Sequence, residues 1–150
     1  MRAKKIINIV VPILCIGLAI LIHCFFLVYK VNGDSMNPSL HNGDFGVAVK
    51  TTISQIDRFN VVIIDTPDKY IIKRVIGLPG ETIRYIDGKL YVNDEEVDDK
   101  YGNGHTDNFT IRLGSGQYWC LGDNREHSTD SRWYGPFDKS SIMAVIIEKE

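Results

Sequence analysis

The longest feature in the pattern of apolar and polar positions is one unbroken apolar run. From Ile6 to Tyr29, 24 positions carry no charged side chain apart from His23 when protonated. At about 1.5 Å per residue, a helix of that length crosses a bilayer core of roughly 30 Å. Arg2, Lys4 and Lys5 precede the run and Lys30 follows it. The basic excess before it predicts a cytoplasmic N-terminus. The run is too long for the apolar region of a cleaved leader, and no small-x-small site follows. The expectation is a retained anchor over residues 1–30 and an extracytoplasmic domain over residues 31–150.

Beyond the anchor the apolar runs are short and broken by turn residues. Asn42-Gly43-Asp44 precedes a strand at Phe45–Val49, and Phe59–Ile64 and Tyr70–Ile76 flank a loop at Asp65–Lys69. Thr82–Ile86 and Lys89–Val92 flank Asp87-Gly88, a pair that predicts a two-residue type I′ hairpin. The acidic run Asp94–Asp99 and the weakly patterned stretch Lys100–Asn108 read as solvated surface and loop. Phe109–Leu113 and Gln117–Leu121 lie on either side of Gly114-Ser115-Gly116, and Ile142–Ile147 closes the series. Many short strands with glycine-rich turns predict a mostly β, all-β outer domain.

Charge and cysteine content narrow the class. All 19 acidic residues but only 13 of the 17 basic ones lie beyond position 30, a net −6 for the outer part. That argues against nucleic-acid binding. Cys15 and Cys24 fall inside the apolar run and Cys120 stands alone, so neither a disulfide framework nor a zinc spacing is present. No metal and no organic cofactor is expected.

Three stretches carry candidate chemistry. Asn32-Gly33-Asp34-Ser35-Met36-Asn37-Pro38-Ser39-Leu40 puts a serine on a polar turn just past the apolar run. Tyr70–Glu81 places Lys73 among Ile71, Ile72, Val75 and Ile76. Burial drives a lysine toward its neutral form, and a neutral lysine is a base able to activate a neighbouring serine. Lys73 and Arg74 are adjacent, so on a strand they point to opposite faces. The third stretch runs from Leu121-Gly122-Asp123-Asn124 through Ser128-Thr129-Asp130-Ser131-Arg132 to Gly135.

In this order behind an anchor, the three stretches resemble the type I signal peptidases, membrane-bound Ser/Lys proteases that cut signal peptides from exported preproteins. The resemblance covers nearly the whole chain. It implies a coiled, largely antiparallel β fold, in a minimal form with only about forty residues between Glu81 and Gly122. It implies Ser35 as nucleophile and Lys73 as base, with Ser128 orienting the lysine and Asp130 and Arg132 bracing the region. Arg74 and Asp123 are weaker structural candidates, and Gly122 and Gly135 serve backbone geometry. Val31, Met36, Leu40 and Ile72 would form shallow apolar pockets for Ala-x-Ala cleavage sites. The Ser35 N–H would be one oxyanion donor; Gly33 stands where some relatives carry a second, serine donor. His127 invites a Ser-His-Asp reading, but no Gly-x-Ser-x-Gly elbow surrounds Ser35, and His105 reads as a loop histidine. Two rivals are a non-catalytic relative acting as an assembly or chaperone factor at the cell surface and a self-cleaving repressor-type protease. Retention of both Ser35 and Lys73 counts against the first, and the anchor counts against the second.

Overall fold

The computed structural model describes residues 2–147, with side chains from position 8 onward. Helix α1 covers Arg2–Phe25. Its stretch Asn8–Phe25 has a mean hydropathy of 2.4, and none of that stretch is buried against the rest of the molecule. A helix that is apolar all round must be covered by something, and one this long is suited to lipid. Pro12 lies inside it, as single spans tolerate. The helix stops earlier than the apolar run predicts. Phe26–Lys30 forms strand β1 and pairs with β2 (Phe45–Lys50), from Phe26 against Val49 to Lys30 against Phe45. Lys50 Nζ donates to the His23 carbonyl at 2.8 Å, satisfying a free carbonyl of the last helical turn.

The remaining strands are β3 (Val61–Asp65), β4 (Tyr70–Gly77), β5 (Thr82–Ile86), β6 (Lys89–Val92), β7 (Glu95–Val97), β8 (Phe109–Arg112), β9 (Gln117–Leu121), β10 (Phe137–Asp138) and β11 (Ile142–Ile146). A seven-stranded sheet runs β1-β2-β11-β3-β4-β9-β10, and a four-stranded sheet runs β7-β6-β5-β8. Every pairing within them is antiparallel. Asp87 and Gly88 both have positive φ, 50° and 79°, as the type I′ hairpin between β5 and β6 requires. Part of the acidic run, expected as solvated surface, pairs with β6 as β7. Its side chains Glu95 and Glu96 are nonetheless exposed.

Three apolar clusters hold the β-rich part of the chain. One joins β3, β4, β9 and β11 through Ile64, Val75, Cys120 and Ile142. A second joins the two sheets through Ile76, Ile83, Leu90, Trp119 and Leu121. The third gathers Met36, Ala48, Val61, Ile63, Ala144 and Ile146, with Leu40 and Ile72 at its margin. That cluster seats the serine-bearing turn, because Met36 is only 1% exposed.

Candidate active site

The turn carrying Ser35 is short and polar on its outer side. Residues 32–34 are exposed, Ser35 is half-buried and Met36 is buried. The Leu40 N–H donates to the Met36 carbonyl at 2.9 Å, closing the turn over the buried methionine. Gly33 has φ +99°, a conformation that suits glycine, and its N–H donates to Asn42 Oδ1. Met36 and Leu40 plug the turn into the core, and the next residue back is left facing a cleft.

Lys73 meets it there. Its Nζ stands 2.8 Å from Ser35 Oγ and 2.8 Å from the Ile72 carbonyl. The lysine is 3% exposed. Burial lowers its pKa to about 8, despite Asp130, which raises it; Lys69 lowers it further, and Asp123 and Cys120 oppose. Desolvation disfavours the ammonium, so the neutral amine is within reach near neutral pH.

Arg74 points the other way, as strand alternation predicts. Its Nε and Nη2 donate to the two carboxylate oxygens of Asp123 at 2.8 and 2.7 Å, with both side chains fully buried. Nη1 donates to the Phe59 carbonyl, and the guanidinium lies 3.8 Å from the centroid of the Tyr101 ring. This pair ties the lysine strand to the 121–135 segment.

That segment is braced by a second ion pair. Asp130, fully buried, accepts from Arg132 Nε and Nη2 at 2.9 and 2.8 Å and from the Gly122 N–H at 3.0 Å. Burial pushes the Asp130 carboxyl up, but the hydrogen bonds from Arg132 and Gly122 outweigh it and hold the pKa below its usual value. Asp130 also caps a short helix, α2 (Ser131–Tyr134). Arg132 Nη2 donates to the Arg125 carbonyl at 2.7 Å as well, closing the loop on itself. Gly122 is required by packing. A Cβ there would lie 2.2 Å from Ser128 Oγ and 2.5 Å from the Ser35 carbonyl oxygen. Gly135 ends α2 with φ +78°.

Ser128 thus lies beside the Ser35 turn, yet its hydroxyl makes no hydrogen bond to Lys73. His127 lines the cleft without bonding Ser35, while His105 Nε2 contacts Asp107 on the surface. No cluster suited to a metal ion occurs among the described residues.

A cleft of about 370 Å³ surrounds the Ser35–Lys73 contact. Val31, Met36 and Ile72 line it, and so do Lys30 and Lys69. A second hollow of about 360 Å³ is lined by Leu27, Tyr29, Ile63 and Met143, and it shares Lys30, Tyr70 and Ile72 with the first. Leu40 lines neither; it packs in the cluster beneath the turn. The lysines at the rim and the second hollow were not singled out from sequence. Lys30 and one wall of the second hollow come from β1, whose residues read as membrane anchor, and Lys69 comes from the loop between β3 and β4.

The fold and the family comparisons define a serine peptidase with a helix suited to membrane anchoring. Residues 3–148 match the family described as "Signal peptidase, peptidase S26", and the chain belongs to that family. It is 39% identical over 144 residues to signal peptidase I V of Bacillus subtilis (strain 168), covering 83% of this chain and 86% of the relative. It is 38% identical over 151 residues to signal peptidase I S of the same strain, covering 89% and 82%. The crystal structure of a signal peptidase I from Enterococcus faecalis V583 superposes with a TM-score of 0.59 at 31% identity, covering 63% of this chain and 99% of that one. Membership implies cleavage of signal peptides, with exported preproteins as substrates.

Proposed function

We propose that this chain is a signal peptidase I working through a Ser35–Lys73 dyad and an acyl-enzyme. The observation that carries the reading is the 2.8 Å separation of Lys73 Nζ and Ser35 Oγ on a lysine that burial makes a better base at neutral pH. Neutral Lys73 takes the hydroxyl proton as Ser35 Oγ attacks the scissile carbonyl carbon. The resulting ammonium gives that proton to the leaving amine as the peptide bond breaks. Water then attacks the ester with Lys73 again as base, and Ser35 leaves with the proton returned. The Ser35 N–H, which makes no hydrogen bond among the described residues, is the assigned oxyanion donor. Gly33 offers no side-chain donor. Ser128, half-buried with its hydroxyl oxygen turned inward against Gly122 beside the dyad, is assigned to orienting the lysine, and Asp130 with Arg132 to bracing the loop. This dyad contact favours an active peptidase over a non-catalytic assembly factor.

Substrate choice follows from the two hollows. In an extended peptide, alternate side chains point the same way. Residues one and three before the cut would enter neighbouring hollows across Ile72, with Val31 and Met36 lining the one at the dyad. Family membership, with Val31, Met36 and Ile72 walling the cleft beside Ser35, supports Ala-x-Ala sites. Replacing the residue before the cut by Phe should therefore reduce kcat/KM by at least about 100-fold, since about 3 kcal/mol of lost fit is at stake; equal rates would contradict the pocket assignment. The basic N-terminus supports a cytoplasmic start and an extracytoplasmic domain. A reporter fused after Glu150 should be active only outside the cytoplasm.

The direct test is Ser35→Ala in the full chain, assayed on a preprotein. Processing should fall to background while the melting temperature is retained, because the hydroxyl is half-exposed and contributes little to packing. Full processing by Ser35→Ala would overturn the reading.

A further inference from the structure

The nucleophile turn has few bonds of its own. The Asn37 N–H donates to the Asp34 carbonyl at 3.2 Å and the Leu40 N–H to the Met36 carbonyl. Neither ties the serine to the rest of the site. Asn124 does. Its backbone N–H donates to the Ser35 carbonyl at 3.0 Å, and its side-chain Nδ2 donates to the Asp34 carbonyl at 3.1 Å. One residue therefore holds both peptide planes that flank the Ser35 Cα, across a separation of 90 positions for the side-chain bond.

The planarity of the peptide gives this contact a chemical consequence. The Asp34 carbonyl and the Ser35 N–H belong to one trans peptide, so they point in opposite directions. Pinning the oxygen on one side aims the N–H on the other. Pinning the Ser35 carbonyl fixes the second plane, and with it the Ser35 backbone dihedrals. We infer that Asn124 is a positioning residue which aims the Ser35 N–H at the developing oxyanion, through its side-chain amide on Asp34.

Asn124 is itself placed from behind. The Asn103 N–H donates to the Asp123 carbonyl at 2.7 Å, and the Arg125 N–H to the Asn103 carbonyl at 2.8 Å. Asn103 and Asn124 form a parallel bridge. Arg125 is anchored in turn, donating Nη1 to the Tyr85 hydroxyl at 2.8 Å and pairing with Asp99 at 2.7 Å. The small sheet lines neither hollow, yet through this chain of contacts it backs the residue that holds the serine turn.

The inference rests on the Ser35 N–H being the oxyanion donor. Its test uses the full chain in detergent micelles, with Asn124→Ala and the isosteric Asn124→Asp. Both keep the backbone bond and lose the side-chain donor. Misaiming one oxyanion donor should lower kcat about 10- to 100-fold. KM should stay within about twofold and the pH midpoint of the rate should not move, because neither the pockets nor the Lys73 surroundings change in Asn124→Ala. Affinity for a substrate-like peptide aldehyde, which forms a tetrahedral oxyanion on Ser35, should fall in parallel with kcat/KM. A non-cleavable peptide of the same sequence should bind as to wild type. Wild-type kcat in both variants would overturn the inference. So would a loss carried by KM, a loss that follows a shifted pH midpoint in Asn124→Ala, or one that matches the unfolded fraction. If Ser35→Ala is inactive while both Asn124 variants behave as wild type, only this inference fails. If Ser35→Ala is active, the dyad reading fails with it.

Discussion

Lys73→Arg should leave no measurable cleavage even though it keeps a long basic side chain. Arginine stays protonated at any working pH, so it has no lone pair for the Ser35 proton. Lys73→Met, which keeps length and volume but cannot titrate, should be equally inactive. Wild-type Lys73 titrates near 8, so about one site in ten is neutral at pH 7. The rate should climb roughly tenfold from pH 7 to its plateau, with a midpoint near 8.

Stability carries the same signature. The folded pKa of Lys73 lies below the unfolded value of 10.5, so between pH 8 and 10.5 the unfolded chain binds more protons. Stability from this group therefore rises with pH through that window, and the full penalty stands below it. A shift of this size corresponds to about 3 kcal/mol at pH 7. Lys73→Met removes both the penalty and the rise, and should be as stable as wild type at pH 7 or more so. Denaturant unfolding at several pH values checks the sign. Substantial cleavage by Lys73→Arg, or inactivity of Lys73→Met that merely tracks unfolding, would defeat the dyad assignment.

The largest expected loss of stability is at Asp123. Its carboxylate is fully buried on Arg74 with two hydrogen bonds. Asp123→Ala leaves a buried guanidinium without its counter-charge and should cost about 3–5 kcal/mol. Arg74→Met should cost less, because the long, apolar replacement fills part of the volume. The double variant Arg74→Met with Asp123→Leu should be more stable than Asp123→Ala, since it removes both desolvated charges together. Thermal melts of the full chain in micelles measure all three. A loss below about 1 kcal/mol in Asp123→Ala would show that water reaches the pair and that it behaves as a surface one.

Much of the architecture was legible because it is local. The Asp87-Gly88 hairpin follows from two residues that accept positive φ. The strands at Tyr70, Thr82, Lys89 and Gln117 follow from β-branched and aromatic runs between turn residues. The opposed directions of Lys73 and Arg74 follow from the pleat alone, whatever each side chain meets. The resemblance of the three stretches supplied the candidate roles that spacing could not.

What escaped was set by pairing at a distance. Phe26–Lys30 is as apolar as the helix before it, so composition extends the helix to Tyr29; only the partner strand Phe45–Lys50 makes it β1. Glu95–Val97 has a strand's backbone and a loop's composition, and its place beside β6 decides the matter. Leu40 matched a pocket position but turned inward, because the turn needs a second apolar plug beside Met36. Asp130 and Arg132 could have been an ordinary surface pair; the buried Gly122 N–H gives the carboxylate its interior place. By itself, the sequence determined the apolar segment and the strand-rich domain, and it supplied Ser35 and Lys73 as the candidates for the proposed chemistry. That Ser35 and Lys73, 38 residues apart, stand 2.8 Å from one another was decided by the tertiary structure. Met36 pulls the serine turn onto the core, Arg74 locks the lysine strand to Asp123, and Asn124 joins that same segment to the serine. Each of these contacts spans dozens of residues, and none leaves a periodic trace in the chain.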